Sequence, residues 1–117
     1  MAMVPTDFEG AVPIDGYGPG FVRLGGRVHE GPLVILGARV MPWGGLDDTA
    51  ALAAMAGRAD LLLLGLGPQI GRAPDALLDA AEAAGLRVEV MSTPSAARSY
   101  TVLLSEGRRV AVALIPV

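Results

Sequence analysis

Residues 60–71 read Asp-Leu-Leu-Leu-Leu-Gly-Leu-Gly-Pro-Gln-Ile-Gly. Four consecutive leucines leave no polar face, so Leu61–Leu64 reads as a strand covered on both sides, the kind found inside an α/β sheet. Burying each of these side chains contributes roughly 1.5–3 kcal/mol, which predicts that this strand is the centre of the sheet.

Downstream, the period changes from two to helical and back twice. Pro74 at the first helical position opens a helix that Gly85 closes. Leu77, Leu78, Ala81 and Ala84 form its apolar face; Asp75, Asp79 and Glu82 form the other, which reads as a docking surface or simply as a solvated face. Leu86–Met91 is a strand. Thr93 reads as the cap and Pro94 as the start of a third helix, with Ala96, Tyr100, Leu103 and Leu104 on its apolar side and Glu106-Gly107 at its end. Arg108–Ile115 is the last strand, apolar enough to be internal.

Upstream, Asp47 reads as the N-cap of a helix over about Asp48–Ala56, with Leu52, Met55 and Ala59 at helical spacing and Gly57 as the stop. Before it, Phe21–Leu24, Arg27–Glu30, Leu33–Leu36 and Arg39–Trp43 have strand composition. Gly25-Gly26 and Gly31-Pro32 break them apart, and Pro42 marks the last as an edge strand. These segments predict a β meander that covers a face or extends an edge. Residues 1–13 read as a mobile or edge-lying arm, which leaves 14–117 as a single domain. The alternation of helix and strand after Asp48 predicts right-handed crossovers. The expectation is a three-layer α/β domain with a mixed, mostly parallel central sheet, helices packed on it and an N-terminal β meander.

Composition narrows the chemistry. The chain has 117 residues, enough for one core, and no cysteine, which removes disulfides, thiolate metal sites and thiol nucleophiles together. Its single histidine, His29, excludes a His-rich metal centre and reads as a surface hairpin residue. Net charge is −3, and Arg108-Arg109 is the nearest thing to a basic cluster, so nucleic acid is not the expected partner. Only 18% of residues are charged against 52% hydrophobic, a balance that leans toward surface buried against a partner, a homo-oligomer included. The eleven uncharged residues Leu61–Gly71 fall well short of the roughly 20 needed to span a bilayer. No basic n-region precedes an apolar h-region at the start, so the expected location is cytoplasmic, with any membrane association peripheral and through a partner.

Three places could carry function. The turn Gly65–Gly71 follows a buried strand and precedes a helix, where backbone amides of Gly65 and Gly67 could hold a phosphate or carboxylate. Its spacing, G-x-G-x-x-x-G, departs from the dinucleotide pattern, and a tight turn without a ligand explains the glycines too. The start of the third helix offers Thr93 and Tyr100 beside that turn. Its serines fit capping better than catalysis, no G-x-S-x-G elbow exists, and Glu106 with Arg108 reads as an ion pair at a helix end. The third place is Tyr17, Phe21 and Trp43, three of the five aromatics in the chain, which suit either an interface or a lid on a small core. No catalytic residue, metal ligand or cofactor site is identified.

The run Ser92-Thr93-Pro94-Ser95-Ala96-Ala97-Arg98-Ser99-Tyr100-Thr101, continuing through Leu103-Leu104-Ser105-Glu106-Gly107-Arg108, resembles a T-P-x-A-x-x-[TS]-[YF]-N-x-L-x-x-E-G-R segment. That segment belongs to the small-domain family that includes mitochondrial complex I assembly factor 3 and the adipogenesis-associated domain protein. Ile14-Asp15, Tyr17, Gly20-Phe21, Trp43, Leu64–Gly67 and Ala113–Pro116 match it in the right order. Thr101 stands where the family often has asparagine, and Leu66 where it often has threonine. The resemblance implies a small three-layer α/β fold with a mixed sheet and no established catalytic activity, metal or cofactor. It implies a non-catalytic interaction protein that assists assembly of a complex I-like respiratory membrane complex. The alternative is a small-molecule or anion-binding protein, or an enzyme, using the Gly65–Gly71 turn.

Overall fold

The computed structural model describes residues 6–7, 10, 12–69 and 71–117; most of the arm expected over 1–13 lies outside them. Strand β1 (Thr6–Asp7) is followed by β2 (Ile14–Gly18), β3 (Phe21–Leu24), β4 (Arg27–Glu30), β5 (Leu33–Leu36) and β6 (Arg39–Pro42). Then come α1 (Ala50–Ala53), β7 (Leu61–Gly65), α2 (Asp75–Ala83), β8 (Arg87–Met91), α3 (Thr93–Ser105) and β9 (Val110–Leu114). Six strands form one sheet in the order β1-β6-β5-β9-β7-β8, and β2-β3-β4 form a second, smaller one.

The central sheet is mixed and mostly antiparallel, which corrects the expectation of a mostly parallel one. Strands β7, β8 and β9 run parallel to one another, as the alternating helices and strands predict. The three remaining pairings, β9–β5, β5–β6 and β6–β1, are antiparallel. The predicted meander divides instead of staying together. Its first two strands join β2, which the sequence did not mark as a strand, in the small sheet, and its last two enter the central sheet as a hairpin on the free edge of β9. So it does both things a meander could do here, covering a face and extending an edge. Strand β6 is not the rim, because Thr6–Asp7 pairs with Val40 and Arg39.

Leu61–Leu64 is buried on both faces, as the leucine run demands, yet β7 sits one strand in from the β8 edge and β5 and β9 occupy the middle. Leu62 and Leu64 join Val34, Leu36, Ala111 and Ala113 on one face, packed with Leu52 and Met55 near α1 and with Leu77 and Ala81 of α2. Leu61 and Leu63 join Leu33, Ile35, Val110, Val112 and Leu114 on the other, packed with Ala96 and Tyr100 of α3 and with Val22 and Leu24 of the small sheet. The alternation of period two is therefore intact inside an all-apolar run. Three layers result.

Crossover chirality explains why α2 and α3 lie on opposite faces. The chain moves outward from β7 to β8 through α2, then back past β7 to β9 through α3. Two right-handed crossovers in opposite directions put their helices on opposite sides of the sheet.

Local chemistry shifted three helix starts. Helix α1 is one turn, Ala50–Ala53, with Thr49 at its cap position; Asp47 does not cap it. Asp48 ties the turn instead, its carboxylate accepting from Gly44 N–H at 2.9 Å and Ala51 N–H at 3.4 Å. Pro74 is the cap residue of α2, in extended conformation, not its first helical residue. Ser92 caps α3, its Oγ accepting from Ser95 N–H at 3.3 Å, so Thr93 becomes the first helical residue. His29 is buried on β4, not on the surface, opposite Val22.

Candidate functional site

The C-terminal ends of β7, β8 and β9 meet at the glycine turn. Thr93 is 1% exposed and binds both neighbours there. Its hydroxyl accepts from Gly67 N–H at 2.9 Å and donates to Ile115 C=O at 2.5 Å, while its own N–H donates to Gly67 C=O at 2.8 Å. Leu66 N–H donates to Met91 C=O at 3.0 Å, and Ile115 N–H to Gly65 C=O at 2.9 Å. The amides of Leu66 and Gly67 thus point at internal acceptors.

The glycines have packing reasons. A Cβ on Gly65 would lie 2.9 Å from both the Thr93 Cα and the Leu114 Cδ2. Gly67 has φ +100°, a conformation that side-chain-bearing residues rarely adopt. Leu66, between them, packs against the core cluster of the α1–α2 face. The Gly65, Gly67 and Thr93 group is a latch joining three strand ends to the first turn of α3.

The aromatics separate. Trp43 is 4% exposed in the α1–α2 core, its Nε1–H donating to Asp48 C=O at 3.0 Å. Phe21 is half-buried, its ring over Gly18 where a Cβ would come within 2.5 Å of it. Tyr17 stands out at 43% exposed. It faces α3 across an open groove.

Two adjoining cavities make that groove. One, about 310 Å³, is lined by Val12, Pro13, Ile14, Tyr100, Thr101, Leu104 and Ser105. The other, about 400 Å³, is lined by Ile14, Asp15, Gly16, Tyr17, Ala97, Arg98, Thr101 and Val102. Ile14 on β2 and Thr101 on α3 belong to both, so the cavities run on as one trough between strand and helix. Val102 on its wall is 56% exposed. Thr101, at the position of the family asparagine, lies at the seam, its hydroxyl donating to Ala97 C=O at 3.1 Å.

Tyr100 closes the inner end of the smaller cavity. Burial raises the pKa of its hydroxyl, offset in part by the Val12 backbone N–H, which lies close without completing a well-formed hydrogen bond. Among the described residues, no group of three or more His, Asp and Glu side chains is placed to hold a metal ion. At the end of α3 the ion pair joins Arg109 to Asp60 at 3.9 Å, both exposed, and not Glu106 to Arg108. Sequence reasoning had Tyr17 and Tyr100 but missed Ile14, Thr101 and Val102 as groove residues. The available signal was Val102, an apolar residue on the polar side of the α3 pattern.

Layers, latch and trough together define a small three-layer α/β domain with an apolar groove between a sheet edge and a helix. The chain belongs to the family described as protein of unknown function DUF498/DUF598, whose model matches residues 14–115. It is 57% identical over 116 residues to an uncharacterized protein of Rhodobacter capsulatus, covering 99% of this chain and 94% of that one. It is 32% identical over 124 residues to NADH dehydrogenase [ubiquinone] 1 alpha subcomplex assembly factor 3 of Mus musculus, covering 99% of this chain and 66% of that longer protein. Among solved structures, an outer membrane protein from Bartonella henselae superimposes with a TM-score of 0.82 at 29% identity, covering 93% of this chain and 98% of that one. Among the described residues, no helix is long and apolar enough to cross a membrane.

Proposed function

We propose that this chain is a non-catalytic interaction protein that assists assembly of a complex I-like respiratory membrane complex, binding its protein partner in the groove between β2 and α3. The observation that carries the reading is the groove itself, an apolar trough with Tyr17 and Val102 exposed along it. Soluble monomers rarely leave contiguous large apolar side chains in water unless they serve binding. The likeness to the mouse assembly factor supports the choice of partner. Engagement of the Leu66 and Gly67 amides within the latch supports this reading over anion binding at those amides. The protein works from the cytoplasm and reaches the membrane through its partner.

Deletion of the gene in a host that carries complex I tests the function. Assembled complex on a native gel should fall, and affinity capture from native membranes should recover respiratory subunits. A deletion strain with a full complement of complex would refute it.

A further inference from the structure

We propose that two copies of this chain join edge to edge through β8. Their strands run antiparallel about a two-fold axis beside Val88, and the central sheet continues from one copy into the other. This edge lies apart from the groove, so the proposal stands or falls separately from the proposed function.

Strand β8 ends the central sheet: among the described residues it pairs only with β7. Arg87 N–H donates to Asp60 C=O, and Met91 C=O accepts from Leu66 N–H, each at 3.0 Å. Residues 87, 89 and 91 therefore turn their backbone groups toward β7, and Val88 and Val90 turn theirs outward. Edges that stay single are guarded by proline, bulges or charge. Strand β8 has no proline and no bulge, and its two charges are of opposite sign.

Those charges select one register. Outward-facing residues must meet outward-facing residues across the seam, so the registers open to a second copy differ by two-residue steps. Arg87 and Glu89 share the face of β8 opposite α2, both are exposed, and neither forms an ion pair among the described residues. With Val88 opposite Val88 of the other copy, each Arg87 lies directly across from the other copy's Glu89, which makes two opposite-charge pairs. One step either way sets Glu89 against Glu89 or Arg87 against Arg87, and both repel. The favoured register is also one in which the two Val88 residues exchange both of their outward backbone bonds. It meets the self-complementarity that a two-fold interface requires.

Apolar surface sits at the same height on the α2 face. Leu86 N–H donates to Ala81 C=O at 2.9 Å, which sets the last turn of α2 level with the start of β8. Three residues back along the helix span about 4.5 Å, and two residues on along the strand about 6.6 Å, so Leu78 stands at about the height of Val88. Ala80, Ala83 and Ala84 line the cleft between α2 and α1. Helical spacing puts Leu78 on the other flank, above the free edge. Leu78, Val88 and Val90 are all half-buried in the single chain, and the axis beside Val88 brings Leu78 and Val88 toward their counterparts.

Sedimentation velocity of the full chain across the micromolar range reads the outcome. The wild type should move from monomer to dimer with concentration, and exchange of the Val88 amide hydrogen should slow as the dimer forms. Arg87→Glu and Glu89→Arg, both at exposed positions, should keep the thermal melt and each weaken association about tenfold or more. The double variant should restore it, a rescue that misfolding cannot imitate. A wild type that stays monomeric overturns the proposal. So does a dimer that is indifferent to both single swaps, is not restored by the double one, or leaves the Val88 amide exchanging as fast as in the monomer.

Discussion

Replacing Thr93 with valine removes one hydroxyl and almost no volume. Two groups lose their partner: Gly67 N–H, buried, and Ile115 C=O, partly buried. A buried donor or acceptor left unsatisfied costs about 1–3 kcal/mol, with the lower end fitting the carbonyl that water can approach. The sum is about 2–4 kcal/mol. For a domain of this size that corresponds to roughly 10 °C in Tm. Thr93→Ser keeps the hydroxyl and deletes one buried methyl, which costs about 1 kcal/mol. Urea unfolding followed by far-ultraviolet circular dichroism measures both. The latch predicts that valine is clearly the worse substitution and that serine stays close to wild type. Valine costing less than about 1 kcal/mol, or serine costing more than valine, would refute it.

Gly65→Ala should lose about 1–3 kcal/mol by the same assay, since the new methyl meets the Thr93 backbone at 2.9 Å, which cannot swing away. Ser92→Ala should cost about 1 kcal/mol by leaving Ser95 N–H without its cap, and an unchanged melt would remove Ser92 from that role. His29 should make stability fall on mild acidification. Burial, then the nearby Arg27, lowers its pKa below 6.5, and its Nε2 has no hydrogen-bond partner. The unfolded chain therefore takes up the proton first: stability is complete above pH 6.5 and is lost as pH drops through that value toward the folded pKa. Tm measured from about pH 7.5 to about pH 5.5 should decline in the wild type, and His29→Gln should flatten the slope.

Much of the architecture could be read in advance because burial writes itself as pattern. The leucine run announced a strand covered on both faces, and Leu77 with Ala81, or Ala96 with Tyr100, announced the helices that cover it. Strand direction was readable only for β7, β8 and β9, where an intervening helix enforces a parallel crossover. Leu33–Leu36 carries no such mark, because an all-apolar strand looks the same in a hairpin at the surface of one sheet or in the middle of another. Its pairing with β9, 75 or more residues away in sequence, decided that the central sheet is mostly antiparallel. The same nonlocality hid the meander's division and β7's offset from the middle.

Site residues followed a similar rule. Thr93 and the glycines were visible as chemistry, but their engagement with one another depends on three strand ends converging. Trp43 suits an interface or a core lid equally in the sequence, because nothing local shows that the Asp48 C=O would hold its indole N–H. The groove needed β2 beside α3, a juxtaposition that no local pattern encodes.

The groove is where the account stands or falls, and one measurement addresses it in the cell. A chromosomal Val102→Glu change, with the variant shown to be present at wild-type level and melting normally, should reduce assembled complex I on a native gel as far as deletion does. Complex I at its full amount in that strain would contradict the account.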